Sequence, residues 1–271
     1  MPIIHAIILG LLQGLTEFLP ISSSGHLTLV PQIFGWKELD PSIEKTFDVA
    51  LHAGTLIGAL VYLRKDVAQI IKSFFSGVKT KHFDQHAKLG IFLLVATIPG
   101  ALLGAVFEDW IVDNLSDPAL VASALLIGAV VLFVCDKSKG TKREEKFSLQ
   151  PAIITGASQA LALQPGVSRS GITMSVLRAQ GFSRETSARL SFLMLLPIVA
   201  GASLYTGGKT LLGDGIPDNL VLPMIVGVIT SAVTGWIAVY GLLKMLQTKT
   251  FTVFVVYRIV VALLVFAWII F

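Results

Sequence analysis

Charge is scarce in this 271-residue chain: Asp, Glu, Lys and Arg together make up 14% of it, against roughly a quarter in a soluble domain. So few charges cannot cover a surface that faces water on all sides, which excludes a soluble globular protein. Cysteine is scarcer still. Cys135 stands alone, ruling out an intramolecular disulfide and any thiolate metal cluster, and it reads as a small apolar residue at a helix end. The N-terminal stretch lacks the basic region of a secretion signal, and Glu17 and Ser22–Ser24 fall where such a signal would not carry them, so it reads as part of the mature fold. Missing too are the alternating segments of about ten residues that mark a membrane barrel. The net charge of +4 is modest and sits in loops, which makes it a topology signal and excludes nucleic acid as a partner.

What the chain has in place of charge is apolar length. Hydrophobic residues make up 54% of it, and its mean hydropathy is +0.78. Ile91–Phe107, Ala119–Val134, Leu220–Leu243 and Phe251–Phe271 approach the ~20 residues that cross a bilayer core as helix. Loop charge orients them. Arg64–Lys88 carries six Lys or Arg and Asp136–Lys146 carries five, whereas Glu108–Asp117 carries none and Gly207–Asn219 only Lys209. The first two loops are therefore expected inside and the other two outside. Six spans follow: Phe47–Leu63, Lys88–Phe107, Ala119–Val134, Ser187–Tyr205, Leu220–Leu243 and Phe251–Phe271. The expected fold class is all-α and polytopic.

Two stretches remain, residues 2–30 and 150–178, each apolar and interrupted midway by proline and polar residues. They resemble each other. At an offset of 146 residues, Ala6, Ile7, Ile8, Gly10, Gln13 and Leu15 match Ala152, Ile153, Ile154, Gly156, Gln159 and Leu161, and Ser22, Ser24 and Gly25 match Ser168, Ser170 and Gly171. Three spans follow each stretch. An odd number turns the second half upside down relative to the first, giving a single membrane domain of two inverted repeats, about 1–146 and 147–271.

The interruptions have a physical reading. Pro20 ends a first half-helix, and Ser22–Ser24 can cap a second one starting near Gly25. Pro165-Gly166 and Ser168 do the same in the other half. Non-helical backbone at membrane depth survives only inside protein or against a wet cavity. The two hairpins are therefore expected to be re-entrant, with converging tips that aim helix N-termini at a shared anion site.

Glu17 lies one turn after Gln13 on the same face, and burial of a carboxylate there suits a general base or a metal ligand. Arg169, between Ser168 and Ser170, suits bidentate phosphate binding. Ser22, Ser23 and Ser24 can cap, donate hydrogen bonds or attack phosphorus, and a serine nucleophile needs a base, for which Glu17 and His26 are the neighbours in sequence. His52, near Asp48, is a secondary candidate. Gly54, Gly58, Gly100, Gly104, Gly227 and Gly235 read as helix-packing positions. Arg178, Arg184 and Arg189 fit positive-inside placement and receive no chemistry. From the residues alone, a membrane enzyme and a secondary transporter of an anionic substrate both remain open; a lipid-binding protein without chemistry leaves the duplicated polar tips unexplained.

At these residues the chain resembles the undecaprenyl-diphosphate phosphatase family, the bacitracin-resistance type of membrane phosphatase. Gln13-Gly-Leu-Thr-Glu17, running on to Ser-Ser-Ser-Gly-His26, is similar to its first signature, and Pro165 through Thr173 to its second. The likeness extends to the Phe47–Gly54 span start and the Tyr257-Arg258 helix. The resemblance implies release of the terminal phosphate of a C55 polyprenyl diphosphate, recycling the lipid carrier of cell-wall synthesis in the bacterial plasma membrane. It implies a site opening to the outer face and a divalent cation, Mg²⁺ with Ca²⁺ as the alternative. Membrane lipids are the surrounding partners, and a homodimer is allowed. Glu17, Ser23, His26 and Arg169 take the catalytic places, and Gln13, Ser22, Ser24, Ser168, Ser170 and Thr173 those that bind substrate. Gln13 stands where many members carry Glu, so a cation would rest mainly on Glu17, water and substrate oxygens.

Overall fold

A computed structural model describes residues 1–36, 41–212 and 215–271. The described residues form ten α-helices and no strands: α1 (Ile3–Phe18), α2 (Ser23–Ile33), α3 (Pro41–Thr80), α4 (Gln85–Leu115), α5 (Pro118–Asp136), α6 (Leu149–Ser158), α7 (Arg169–Ala179), α8 (Arg184–Leu212), α9 (Asp218–Leu246) and α10 (Thr252–Ile270). Short 3₁₀ turns occupy Glu144–Lys146 and Gln159–Leu163. Six of the helices, α3, α4, α5, α8, α9 and α10, are long and apolar enough to cross a membrane. The chain is a multi-pass membrane protein, and each expected span falls on one of these six helices.

The helices outrun the apolar segments that predicted them. α3 has 40 residues, ~60 Å at helical rise and about twice a bilayer core, so much of the expected basic loop is helix. α4 likewise continues past Phe107 to Leu115, having already run through Pro99, Gly100 and Gly104. α8 runs on to Leu212; Gly213 and Asp214, in the expected loop Gly207–Asn219, lie outside the described residues.

α9 packs between α1 and α3, α10 against α5, and α6 against α4. Close approach depends on missing side chains. A Cβ at Gly14 on α1 would stand 1.8 Å from Oγ1 of Thr234, and one at Gly54 on α3 would stand 2.4 Å from the Val228 carbonyl oxygen. Gly54 is one of the expected packing glycines; Gly14 was hidden inside the first polar motif.

The basic segments gather at one end. Asp66 on α3 pairs with Arg189 on α8, and Arg189 also reaches Glu144 at 3.6 Å. Asp136 receives Arg184 at 2.6 Å and the Phe251 amide at 3.1 Å. Arg178, only 2% exposed, donates to the carbonyls of Ser138, Gly140 and Phe182. These three arginines thus lock the loops between α5, α6, α7 and α8, a structural task beyond the charge placement read from sequence.

Candidate active site

The two interruptions fold alike. Pro20 stops α1 at Phe18, with Leu19 already extended, as the residue before a proline prefers. Ser22 then takes φ 74°, and α2 begins at Ser23, two residues earlier than expected, with the Ser22 hydroxyl capping the Gly25 amide at 3.3 Å. In the second half Ser168 also takes φ 74°, and its hydroxyl caps the Gly171 amide at 3.0 Å. A left-handed φ is uncommon outside glycine, and here the cap bond holds it in both places. The tips touch: the Gly166 amide donates to the Ser22 hydroxyl at 3.1 Å.

Arg258 of α10 ties the tips together from behind. It is fully buried and donates to the carbonyls of Pro20 at 3.2 Å, Gly166 at 2.9 Å and Val167 at 3.1 Å, as well as to Leu125 on α5. Sequence reading noted Arg258 only within the terminal helix. An arginine inside an apolar helix is the signal that could have singled it out.

Glu17 is the point where the tips converge chemically. It is 4% exposed. Its Oε2 accepts from the Ser23 hydroxyl at 2.5 Å and from Gln13 Nε2 at 3.1 Å, and its Oε1 accepts from Arg169 Nη2. His52 completes the ring: its Nδ1 lies 2.8 Å from the Asp48 carbonyl oxygen, leaving Nε2 to face Glu17 at 3.6 Å. Glu17, Ser23, Ser24, His52, Arg169 and Ser170 line one cavity of about 300 Å³. Arg169 Nη1 is buried with no hydrogen-bond partner. A buried donor without an acceptor is costly, and this one fits an anion that brings the acceptor.

Of the remaining candidates, Ser168 also lines the cavity, while Ser22, Thr173 and His26 do not. Ser24 lies 3.4 Å from Ser22, hydroxyl to hydroxyl. Ser168 contacts Ser170 at 3.1 Å, and Ser170 donates to the Leu19 carbonyl at 3.0 Å. Thr173 bonds back to the Arg169 carbonyl at 2.8 Å and meets Ser191 at 2.7 Å. His26 is turned away from Ser23. Its Nδ1 sits 2.7 Å from the Ser22 carbonyl oxygen, and Nε2 sits 2.8 Å from the Tyr257 hydroxyl. Nδ1 therefore carries hydrogen, and in the neutral ring Nε2 accepts from Tyr257. The histidine at the carboxylate is His52, on a helix that sequence order does not link to the tip.

The model of the family described as Bacitracin resistance protein BacA matches residues 6–264. The chain belongs to this family. Among relatives of the family, the undecaprenyl-diphosphatase of Geotalea daltonii is 44% identical over 99% of each chain. That of Geobacter sulfurreducens is 42% identical over 96% of this chain and 95% of its own, and that of Elusimicrobium minutum 40% identical over 97% and 96%. The match to the family model contains both tips, Glu17, His52, Arg169 and Arg258.

Proposed function

We propose that this protein hydrolyses undecaprenyl diphosphate to undecaprenyl phosphate and inorganic phosphate in the bacterial plasma membrane, recycling the lipid carrier of cell-wall synthesis. The observation that carries the reading is the Ser23 hydroxyl bonded at 2.5 Å to Glu17, beside an arginine with one buried N–H group unused. Nucleophile, base and phosphate clamp stand in one cavity. A transporter needs the clamp alone and leaves the Ser23–Glu17 pair without a task.

In this mechanism Arg169 holds the terminal phosphate, joined by the first-turn amides of α2 and α7 that precede the capped glycines Gly25 and Gly171. Glu17 takes the Ser23 proton as the oxygen attacks the terminal phosphorus. The bond to the bridging oxygen breaks, and the lipid monophosphate leaves. Glu17 passes that proton to the departing lipid phosphate; water then attacks the phosphoserine, Glu17 taking its proton and returning it to the Ser23 oxygen as inorganic phosphate departs. Positioning and charge stabilisation supply most of the acceleration, as is usual for phosphoryl transfer.

A divalent cation is compatible with these donors. The Glu17 carboxylate, the Ser23 hydroxyl and the partnerless Gln13 Oε1 are hard oxygens of the kind Mg²⁺ and Ca²⁺ accept, and Mg²⁺ keeps waters and needs few carboxylates. Among the described residues no three His, Cys, Asp or Glu side chains form a metal-binding group, so Glu17 would be the anchor. When bound, the cation offsets diphosphate charge.

The matched caps at Ser22 and Ser168 support the two-repeat reading, with α1–α2 and α6–α7 as re-entrant hairpins of opposite orientation. Val49 and His52 lie near the start of α3, and Ala202 and Ser203 toward the end of α8, the ends remote from the basic segments. The positive-inside rule then favours a cavity open to the outer face.

The test is phosphate release from undecaprenyl diphosphate by the purified protein, with and without Mg²⁺. Release that vanishes in Ser23→Ala is expected. Anion flux into vesicles without any release would overturn the reading in favour of transport.

A further inference from the structure

Part of the cavity wall is apolar. Val49 on α3, Gly100 on α4, Leu163 in the 3₁₀ turn, and Ile198 and Ala202 on α8 line it along with the polar groups. Ala202 both lines the cavity and is exposed, so the cavity reaches the protein surface there. Its neighbour Gly201 has no atom within 4 Å of where a Cβ would stand, and on α4 a Cβ at Gly104 would meet only Leu163, at 3.5 Å. Room along this seam between α4 and α8 lies at Gly201 and Gly104, whereas a Cβ at Gly100 would already meet the Gln159 Cβ at 3.2 Å. Leu102, Leu161 and Leu204, each within two residues of a lining residue in the chain, are exposed.

Ser203, one residue on, behaves differently. It lines the same cavity, and its hydroxyl is buried with no partner. A serine within a helix commonly donates to the carbonyl four residues back. Here that donor is left free, so the cavity's polar and apolar parts meet between two adjacent positions of α8.

The cavity volume limits what can occupy it. About 300 Å³ is at the low end of the ~300–1,000 Å³ of pockets that take drug-sized ligands, and an undecaprenyl chain far exceeds such a ligand. Its apolar chain loses nothing by lying in lipid. A diphosphate held at Arg169 therefore needs a route for the chain from cavity to bilayer.

We propose that the seam between α4 and α8 at Gly100, Gly201 and Ala202 is that route, a lateral exit for the isoprenoid chain, and that Ser203 donates to the lipid-side phosphate at its threshold. The inference rests on the diphosphatase reading and adds where specificity for the chain resides. The geometry separates the roles of neighbours: Ala202 faces the chain and Ser203 the head group.

The experiment measures kcat/KM for undecaprenyl diphosphate and for farnesyl diphosphate on the full-length protein in detergent. Ala202→Trp narrows the exit, and the long-to-short ratio is expected to fall at least about tenfold, the order of a steric mismatch in an apolar pocket. Gly201→Leu, at a position with open space around it, should move the ratio the same way without disturbing the fold. Ser203→Ala should lower both substrates together, about tenfold for a lost hydrogen bond to a charged group, leaving the ratio as it was. Unchanged ratios in both Ala202→Trp and Gly201→Leu, in protein that elutes as the unsubstituted form does, overturn the exit. A ratio shifted by Ser203→Ala overturns the head-group role. If the unsubstituted protein releases phosphate from neither substrate, the diphosphatase reading fails and the exit with it; release with unmoved ratios defeats the exit alone.

Discussion

The two tips share a backbone and differ in what they offer. Ser22 and Ser168 occupy equivalent positions, have the same φ of 74°, and cap the glycine three residues on. The next residue is Ser23 in one tip and Arg169 in the other. One turn before the break, Glu17 in the first half corresponds to Leu163 in the second, and after it His26 corresponds to Ile172. The first tip thus carries hydroxyl and carboxylate, and the second carries the cation and part of the apolar wall. Two tips of matching backbone bring unlike side chains face to face; in the proposed mechanism this sets a nucleophile with its base on one side and a charge clamp on the other.

The division can be broken from either tip, with different kinetic signatures. Removing the clamp should do most damage. Arg169→Ala is expected to lower kcat/KM by about a thousandfold or more, with both binding and turnover affected. The loss also strips Glu17 of its strongest partner, and breaking a buried ion pair is destabilising. Arg169→Lys separates the two effects: it keeps a charge at Glu17 but loses the planar fork. It should remain folded by size-exclusion elution and still lose about a hundredfold, on the order of one preorganised donor. Near-normal phosphate release in Arg169→Lys would remove the clamp from the mechanism.

On the other tip, Ser23→Ala and Glu17→Gln should reduce kcat while leaving KM nearly as it was. Glu17→Gln is expected to cost about a hundred- to ten-thousandfold, the range of a general base. Rapid acid quench of the unsubstituted protein with a substrate labelled on its terminal phosphorus should trap label on Ser23, and none in Ser23→Ala. Label absent from Ser23, with turnover surviving in Ser23→Ala, would make water the attacking group.

Much of the scaffold was legible because it depends on local chemistry. Apolar length located α3, α4, α5, α8, α9 and α10, proline placed the breaks, and a repeated Ser-x-x-Gly spacing marked both caps. The pairing of Glu17 with Arg169 spans 152 residues, so no periodicity carries it; only the repeat offset suggested that the tips meet. Apolar length underestimates α3 and α4, which stay helical beyond their apolar segments; α3 runs through Gly77 and ends at Thr80 with neither glycine nor proline beside it. Distance along the chain favours His26, beside the tip, over His52. Tertiary packing gives His26 to Tyr257 and brings His52 to Glu17 by way of α3. Arg258 was under-read because its partners are backbone carbonyls, which no side-chain motif advertises.

The smallest difference between the tips is energetic. Ser168→Ala removes one helix cap, and the expected loss of stability is about 1 kcal/mol. Ser22→Ala removes a cap and also the acceptor of the Gly166 amide, which stays buried; that second loss adds ~1–3 kcal/mol. The first tip should therefore melt at the lower temperature when its serine is cut to alanine, although both serines look alike in sequence. Glycine substitutions sharpen the contrast. Ser168→Gly forfeits the cap but relaxes the positive φ, and a glycine cap costs only a few tenths of a kcal/mol. Ser22→Gly gains the same relaxation and still strands the Gly166 amide. Thermal unfolding in one detergent should thus rank Ser168→Gly above Ser168→Ala, and each Ser168 variant above its Ser22 counterpart. Equal melting temperatures for the two alanine variants would mean that the bond from the Gly166 amide to Ser22 contributes nothing, leaving Arg258, the Arg169–Glu17 pair and the bond from Ser170 to the Leu19 carbonyl to join the tips.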